Sequence, residues 1–277
     1  MERGTWNVEL PAQPDPMTGD KLRFRFSKTG TLRLLSHHDL MRCLERMLRR
    51  AGLPFKSTAG FHPGPRVVFA LSLPLGVAAR DEVMELELTR PCDAADVLAG
   101  LNAQAPAGLA FTRVAVVPMK VTALPRRALY TLHLPPDRAA DTAGRAADLM
   151  AAEKVWVERL KPSPKRLNIR PYLRAVRVDD NTLTLDLWVT GTGTARADEL
   201  TRLLGLGDLP DAGAVWERTG IEIRDEVAAT DPADGPPDGP ADTLPLDPAA
   251  VAAPARDTET QPAEAQWGAS PNGPVVE

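Results

Sequence analysis

Two short runs gather most of the residues able to do chemistry. Ser36-His37-His38-Asp39 stands at the start of a helical stretch, where unpaired backbone N–H groups and a partial positive charge suit an anion. There His37 could serve as a hydrogen-bond donor or as a general acid/base. The same residues also suit plain capping, since Ser36 followed three positions later by Asp39 approximates a capping box. Gly60-Phe61-His62-Pro63-Gly64-Pro65-Arg66 is the second run. Its prolines and glycines predict a stiff, open loop that presents Phe61 for stacking and Arg66 for a phosphate or carboxylate. A structured connection with Phe61 packed underneath would leave the same signature.

Around these runs lie basic residues. Arg42, Arg46, Arg49 and Arg50 recur at helical spacing opposite Leu40, Leu44 and Leu48, as a nucleic-acid surface or a solvated helix face would. Further on, Lys165-Arg166-Leu167-Asn168-Ile169-Arg170-Pro171-Tyr172 is basic with one aromatic. Gly191-Thr192-Gly193-Thr194 and Arg196 follow, a turn that could cradle an anion but lacks the lysine and spacing of a phosphate-binding loop. No pair among His37, His38, His62 and Asp39 has a zinc spacing on one element, and no nucleophile elbow is present. Neither a metal nor a complete catalytic set is therefore expected.

The elements that must hold these residues follow from periodicity. Residues 22–26 alternate as a half-buried strand, and Leu40, Leu44, Met47, Leu48 and Ala51 mark a helix that Gly52 and Pro54 end. Strands are predicted at 67–73, 83–88 and 109–117, with a helix at 94–103. The second half repeats the order: a strand at 128–134, a helix at 137–152, strands at 155–160 and 182–189, a short helix at 197–204 and a strand at 215–225. Residues 169–178 read as an additional strand interrupted by Pro171. The expected fold is α+β, two tandem ferredoxin-like (βαββαβ) domains with two antiparallel sheets, each covered on one face by two helices. The expected boundaries are a loose arm at 1–20, domains at 21–120 and 121–228, and a disordered acidic tail at 229–277.

Charge supports that division. Of the 277 residues, 229–277 hold nine Asp/Glu, one Arg and ten of the 27 prolines, too little apolar surface to offset ordering. Trp267 is the one place in the tail suited to a partner. Residues 20–228 hold 31 Lys/Arg against 25 Asp/Glu, so the body is about +6 while the chain is −4. No apolar run nears the roughly 18–20 residues a membrane-spanning helix needs, and the N-terminus does not read as a signal peptide, so a cytoplasmic protein without membrane contact is expected. Cys43 and Cys92 alone cannot build a disulfide framework or a four-thiolate cluster.

The stretch SHHDLMRCLERMLRRAGLPFKSTAGFHPGPRVVFALSLPLGV, with KRLNIRPYL and GTGTARADEL in the second half, closely resembles the radical SAM-associated family, a domain of unknown function encoded beside or fused to a cobalamin-binding-type radical SAM protein. The likeness spans roughly residues 20–225. It covers Ser36, His37, Asp39, Gly60, Phe61, Pro63, Pro65, Arg66, Pro74, Leu75 and Gly76, then Ile169, Arg170, Tyr172 and Gly191. His38, Gly64 and Asn168 depart from its usual pattern. The resemblance implies a separately encoded radical SAM partner, which would carry the iron–sulfur cluster, S-adenosylmethionine and, by the same likeness, cobalamin; this chain would carry no cofactor.

The leading expectation is a non-catalytic accessory protein that binds and orients an anionic substrate, with RNA as the candidate, for that partner. The binding set is Ser36, His37, Asp39, Arg42, Phe61, His62, Arg66, Arg170, Tyr172 and Arg196. One alternative is a metal-independent ribonuclease-like enzyme using His37 or His62 as catalytic acid/base. Another is a pure interaction module that docks the radical SAM protein.

Overall fold

The computed structural model describes residues 19–161, 163–227 and 241–245. In β1 (Lys21–Lys28), alternation turns Leu22, Phe24 and Phe26 into the first core. Ser36 caps α1 (His37–Arg50), whose Leu40, Leu44, Met47 and Leu48 cover those rings. The chain continues through β2 (Val67–Phe69), β3 (Ala78–Glu87), α2 (Ala94–Gln104, capped by Asp93) and β4 (Leu109–Val117). The second half holds β5 (Pro125–His133), α3 (Pro136–Ala151), β6 (Trp156–Arg159), β7 (Lys165–Asn168), β8 (Leu173–Asp179), β9 (Thr182–Trp188), α4 (Ala197–Leu203) and β10 (Glu217–Ile223). A last strand, β11, spans Thr243–Pro245.

The pairing corrects two expectations. Instead of two separate sheets, one eight-stranded sheet runs β4-β1-β3-β10-β5-β9-β8, with β2 also on β3. The halves join where β10 pairs in parallel with the beginning of β3 (Glu217 with Ala78, Arg218 with Ala79), on the edge that β2 leaves free. All other neighbours in this sheet are antiparallel. The fold is thus α+β with a mixed main sheet.

The second correction concerns which strand is the insertion. Residues 173–179, past Pro171, form the β8 that pairs with β9, while β6 lies in a separate three-stranded sheet, β11-β7-β6. Pro171 does not break a strand; it sits in the 3-10 turn Arg170–Tyr172 that leads into β8. Proline's fixed φ and missing donor suit that turn.

The expected tail also changes. Thr243–Pro245 pairs with β7, and Lys154 Nζ lies 3.0 Å from Asp242 Oδ2, so this part of 229–277 is a strand against the body. The remaining tail, with Trp267, and most of the expected arm lie outside the described residues. Asp20, at the end of that arm, is pinned: its carbonyl accepts from Leu88 N at 2.8 Å and its Oδ2 from Cys92 N at 3.1 Å. Among the described residues no helix is long and apolar enough to cross a membrane.

Each half has its own hydrophobic core, beneath α1 and α2 in the first and α3 and α4 in the second. Between them the chain buries charge. Arg218 (0% exposed) and Glu82 (1%) form a two-pronged pair, with Arg218 Nε 2.6 Å from Glu82 Oε1 and Nη2 against Oε2. Arg218 also donates to Ser72 O at 3.0 Å, Leu71 O at 3.2 Å and Tyr130 Oη at 3.2 Å, so the guanidinium is saturated.

Candidate functional site

At the start of α1 the capping role is filled within the cluster itself. Ser36 Oγ accepts from Asp39 N at 3.2 Å and donates to Asp39 Oδ2 at 2.7 Å. Asp39 Oδ1 also lies 3.6 Å from Arg42 Nη1 at the surface. His37 and His38 are exposed, and the His37 ring packs edge-on to Phe69, centroids 5.3 Å apart.

The second run forms a hairpin rooted at Glu87. Arg66 N donates to Lys56 O at 2.7 Å, Thr58 N to Gly64 O at 2.8 Å, and Gly64 N to Thr58 Oγ1 at 3.2 Å. Lys56 Nζ and Arg66 Nε both reach the Glu87 carboxylate, at 3.3 and 3.1 Å. At the tip Gly60 has φ +141°, a value glycine adopts without strain, and Phe61 beside it is fully exposed (102%), with His62 also in solvent. A packed Phe61 is thereby excluded. The ring is held out in water by a backbone that is internally bonded.

None of the described cavities brings the two runs together. Arg66 at the hairpin base and Phe69, on which His37 packs, are three residues apart on extended chain, about 10 Å. The small cavity under His37 contains no hairpin residue. The hairpin instead adjoins the other end of α1, where the Arg49 guanidinium stacks 5.3 Å from the Phe55 ring and Phe55 bridges to Leu88. Along the outer face of α1 from Arg42 onward and on this hairpin, Arg42, Arg46, Arg49, Arg50, Lys56 and Arg66 are all exposed. Asp39, Glu45 and Glu87 are the only acids paired with these six cations among the described residues. Arg46 and Arg50 have no acidic partner among those residues, and they flank a groove of about 310 Å³ with Cys43, Met47, Gln104 and Pro106. This strip, not the helix start, is the basic surface.

The second-half candidates are structural. Arg170 spends its guanidinium on carbonyls: Nη2 to Met150 O at 2.8 Å, Nε to Ala152 O at 3.1 Å and Nη1 to Leu173 O at 3.2 Å. The first two are unpaired acceptors at the end of α3, the natural seat of a cation. Tyr172 is 1% exposed within the second core and offers no ring face to a ligand; its Oη lies 3.4 Å from Thr192 Oγ1. The backbone N–H groups of Thr192 and Gly193 go to Thr190 Oγ1, at 3.2 and 3.1 Å, so the Gly-Thr turn cradles its own hydroxyl. Arg196 is exposed, and its N–H donates to Glu199 Oε2 at 3.0 Å, capping α4. Neither His37 nor His62 hydrogen-bonds a carboxylate among the described residues, and no three His, Cys, Asp or Glu side chains there cluster as metal ligands.

Residues 21–197 match a family described as an uncharacterized protein conserved in bacteria (DUF2344). The chain belongs to this family. The match runs from β1 through the first residue of α4, so the DUF2344 segment includes α1, the hairpin and Glu82 but stops short of β10 and Arg218. No curated protein matches the chain.

One site residue escaped the sequence reading. Lys28 is 2% exposed; its Nζ donates to Leu35 O at 3.1 Å and lines the cavity under His37 together with Glu82. The signal was present: Lys28 shares the inward phase of Leu22, Phe24 and Phe26 on β1. Burial pushes its ammonium below the ordinary lysine value, with the Glu82 charge offsetting part of the shift and the Arg218 charge adding to it. The folded state therefore disfavours the charged form. That cost is present at neutral pH and fades as pH rises through the lowered value towards the ordinary one. Unfolding by urea should show Lys28→Met ahead of the wild type by a margin that shrinks between pH 7 and pH 10; a margin constant across that range would contradict this account.

Proposed function

We propose that this protein is a non-catalytic accessory module that binds an anionic substrate, RNA being the candidate, for a separately encoded radical SAM enzyme. The radical SAM link rests on the sequence resemblance. The single observation that carries the binding role is the strip at the end of α1 and the hairpin beside it, six exposed cations against three carboxylates, with Phe61 held out at its edge. Cations spaced along a helix neutralise phosphates, and a rigid exposed ring adds a sequence-tolerant stacking surface. We also read the architecture as two ferredoxin-like units. The order β4-β1-β3-β2 in one half and β10-β5-β9-β8 in the other, each fourth-first-third-second, supports this, with β6 and β7 as the insertion.

The test is titration of the full chain with a single-stranded RNA oligonucleotide at several salt concentrations. Each lost phosphate contact lowers the slope of log K against log salt by about 0.7, so Arg46→Ala plus Arg50→Ala should lower it by about 1.4. Phe61→Ala should weaken binding about tenfold and leave the slope unchanged. Wild-type binding without salt dependence, or indifference to all three substitutions, would refute the reading.

A docking role for the radical SAM protein is the second reading. Leu34 and Leu75 are both exposed, and Gly76 N donates to Arg33 O at 3.0 Å, which brings the two stretches of backbone that carry these leucines together at the surface. Loss of co-purification on Leu34→Ser plus Leu75→Ser, with RNA binding intact, would favour it.

A further inference from the structure

The two ends of the main sheet differ. β8, at one end, carries Arg174, Arg177 and Asp179 within seven residues, the kind of charges with which native sheets keep other strands away. β4, at the other end, has Arg113 as its single charge and no proline. Its first part is closed from within. Asn102 Nδ2 donates to Phe111 O and Phe111 N donates to Asn102 Oδ1, both at 2.9 Å, so one side chain stands in for a strand. A bulge at Thr112 follows. Beyond it no described residue plays that part. Leu88 N donates to Asp20 O, so the even residues of β1 bond to β3, while Lys21, Arg23 and Arg25 bond to Val117, Ala115 and Arg113 of β4. Val114 and Val116 therefore turn their N–H and C=O groups outward, with no partner among the described residues. Val116 is 49% exposed, and Met119, three residues on, is 39% exposed.

Outward backbone groups of this kind are satisfied by one more extended strand. That strand must be apolar on the face towards the helices, where Val114 packs on the first core, and polar on the face where Arg113 lies near Asp81. The chain carries this pattern shortly before β1. Trp6-Asn7-Val8-Glu9-Leu10 alternates apolar and polar residues, and Pro11 ends the run. In that phase Trp6, Val8 and Leu10 would join Val114 and Val116, while Glu9 would share the face of Arg113, the single charge of β4. The run also lies within reach. Residues 11–19 join it to Asp20, which is pinned at the start of β1, where Lys21 pairs with Val117. Nine extended residues cover about 30 Å, and the open edge is two strand spacings from β1, about 10 Å. We propose that residues 6–10 dock on β4 as an added edge strand, pairing with residues 113–117 and closing the exposed end of the sheet. None of the six cations of the anion-binding surface takes part, so this contact stands apart from that reading.

The experiment is residue-resolved amide exchange by NMR on the full chain, wild type against Val8→Pro. In the wild type the Val114 and Val116 amides should exchange at least about tenfold more slowly than freely exposed amides, and Val8→Pro should abolish that protection. The Arg113 and Ala115 amides, which face β1, are the internal control and should be protected equally in both proteins. Tenfold dilution of the wild type should leave the protection of Val114 and Val116 as it was. Free exchange at Val114 and Val116 in the wild type would overturn the inference. So would protection that survives Val8→Pro, which places another occupant on the edge, or protection lost on dilution, which places a second copy there.

Discussion

Replacing Arg218 with methionine is expected to lower the free energy of unfolding by about 3–5 kcal/mol, the usual cost of stranding a buried charge. The partner left behind is Glu82, 1% exposed, whose two oxygens both face the guanidinium. Burial works against the Arg218 charge, yet the Glu82 carboxylate and the Tyr130 hydroxyl together hold the guanidinium above its ordinary value. Methionine has similar length and fills the space, so the loss measures the orphaned carboxylate more than a void. The double variant Arg218→Met plus Glu82→Leu should therefore recover most of the stability, since a well-packed apolar pair often replaces a buried ion pair at little cost. Guanidinium unfolding curves on the three proteins decide it. A double variant as unstable as the single one would place the stabilisation in Arg218's bonds to Ser72, Leu71 and Tyr130 instead.

Arg170→Ala should cost about 2–4 kcal/mol of stability and leave anion binding untouched. Three charge-assisted bonds are lost together, and the carbonyls of Met150, Ala152 and Leu173 are left without them. The two effects are read separately, by denaturant unfolding and by the RNA titration. Normal stability with weakened RNA binding would return Arg170 to the surface role that its sequence neighbourhood suggests. Arg46→Ala is its mirror image: an exposed side chain with no acidic partner among the described residues should change stability by no more than about 0.5 kcal/mol.

The contrast between these arginines shows where sequence reasoning reached and where it stopped. Period and the Ser36 cap marked α1, and the runs at 94–103 and 109–117 marked α2 and β4 closely, because such signals are local. Which strands pair is not local. TLTLDLWV reads as a strand whatever lies beside it, and only tertiary contact chose residues 173–179 over 155–160 as its neighbour. Arg218 was hidden by a bulge. Strict alternation along β10 would set Arg218 and Glu222 on one face, yet they pair with Tyr130 and Arg127, three positions apart on β5, and so point to opposite faces. Lys28, by contrast, was legible as a cation in the apolar phase of its strand.

For the candidate site, residue type was legible and exposure was not. Arg66 and Arg170 each adjoin a proline with an aromatic nearby, but one projects from a hairpin and the other ends a helix from within. Likewise Phe61 and Tyr172 are both aromatics within two positions of a proline, one fully in solvent and the other sealed in the second core. Whether such a ring is a binding surface or a core residue depends on the chain that returns to cover it. For Tyr172 that chain includes the Gly191–Thr194 turn, where Gly193, at φ +150°, lets the backbone close over its hydroxyl.

The central claim is that ligand contact belongs to the end of α1 and the hairpin, and to no part of the second half. Amide hydrogen exchange on the full chain, with and without a saturating single-stranded RNA oligonucleotide, tests it most directly. The account predicts slowed exchange confined to peptides covering Arg42–Arg50 and Lys56–Arg66. Protection concentrated instead on Lys165–Tyr172 and Gly191–Arg196, with the first-half peptides unchanged, would contradict it.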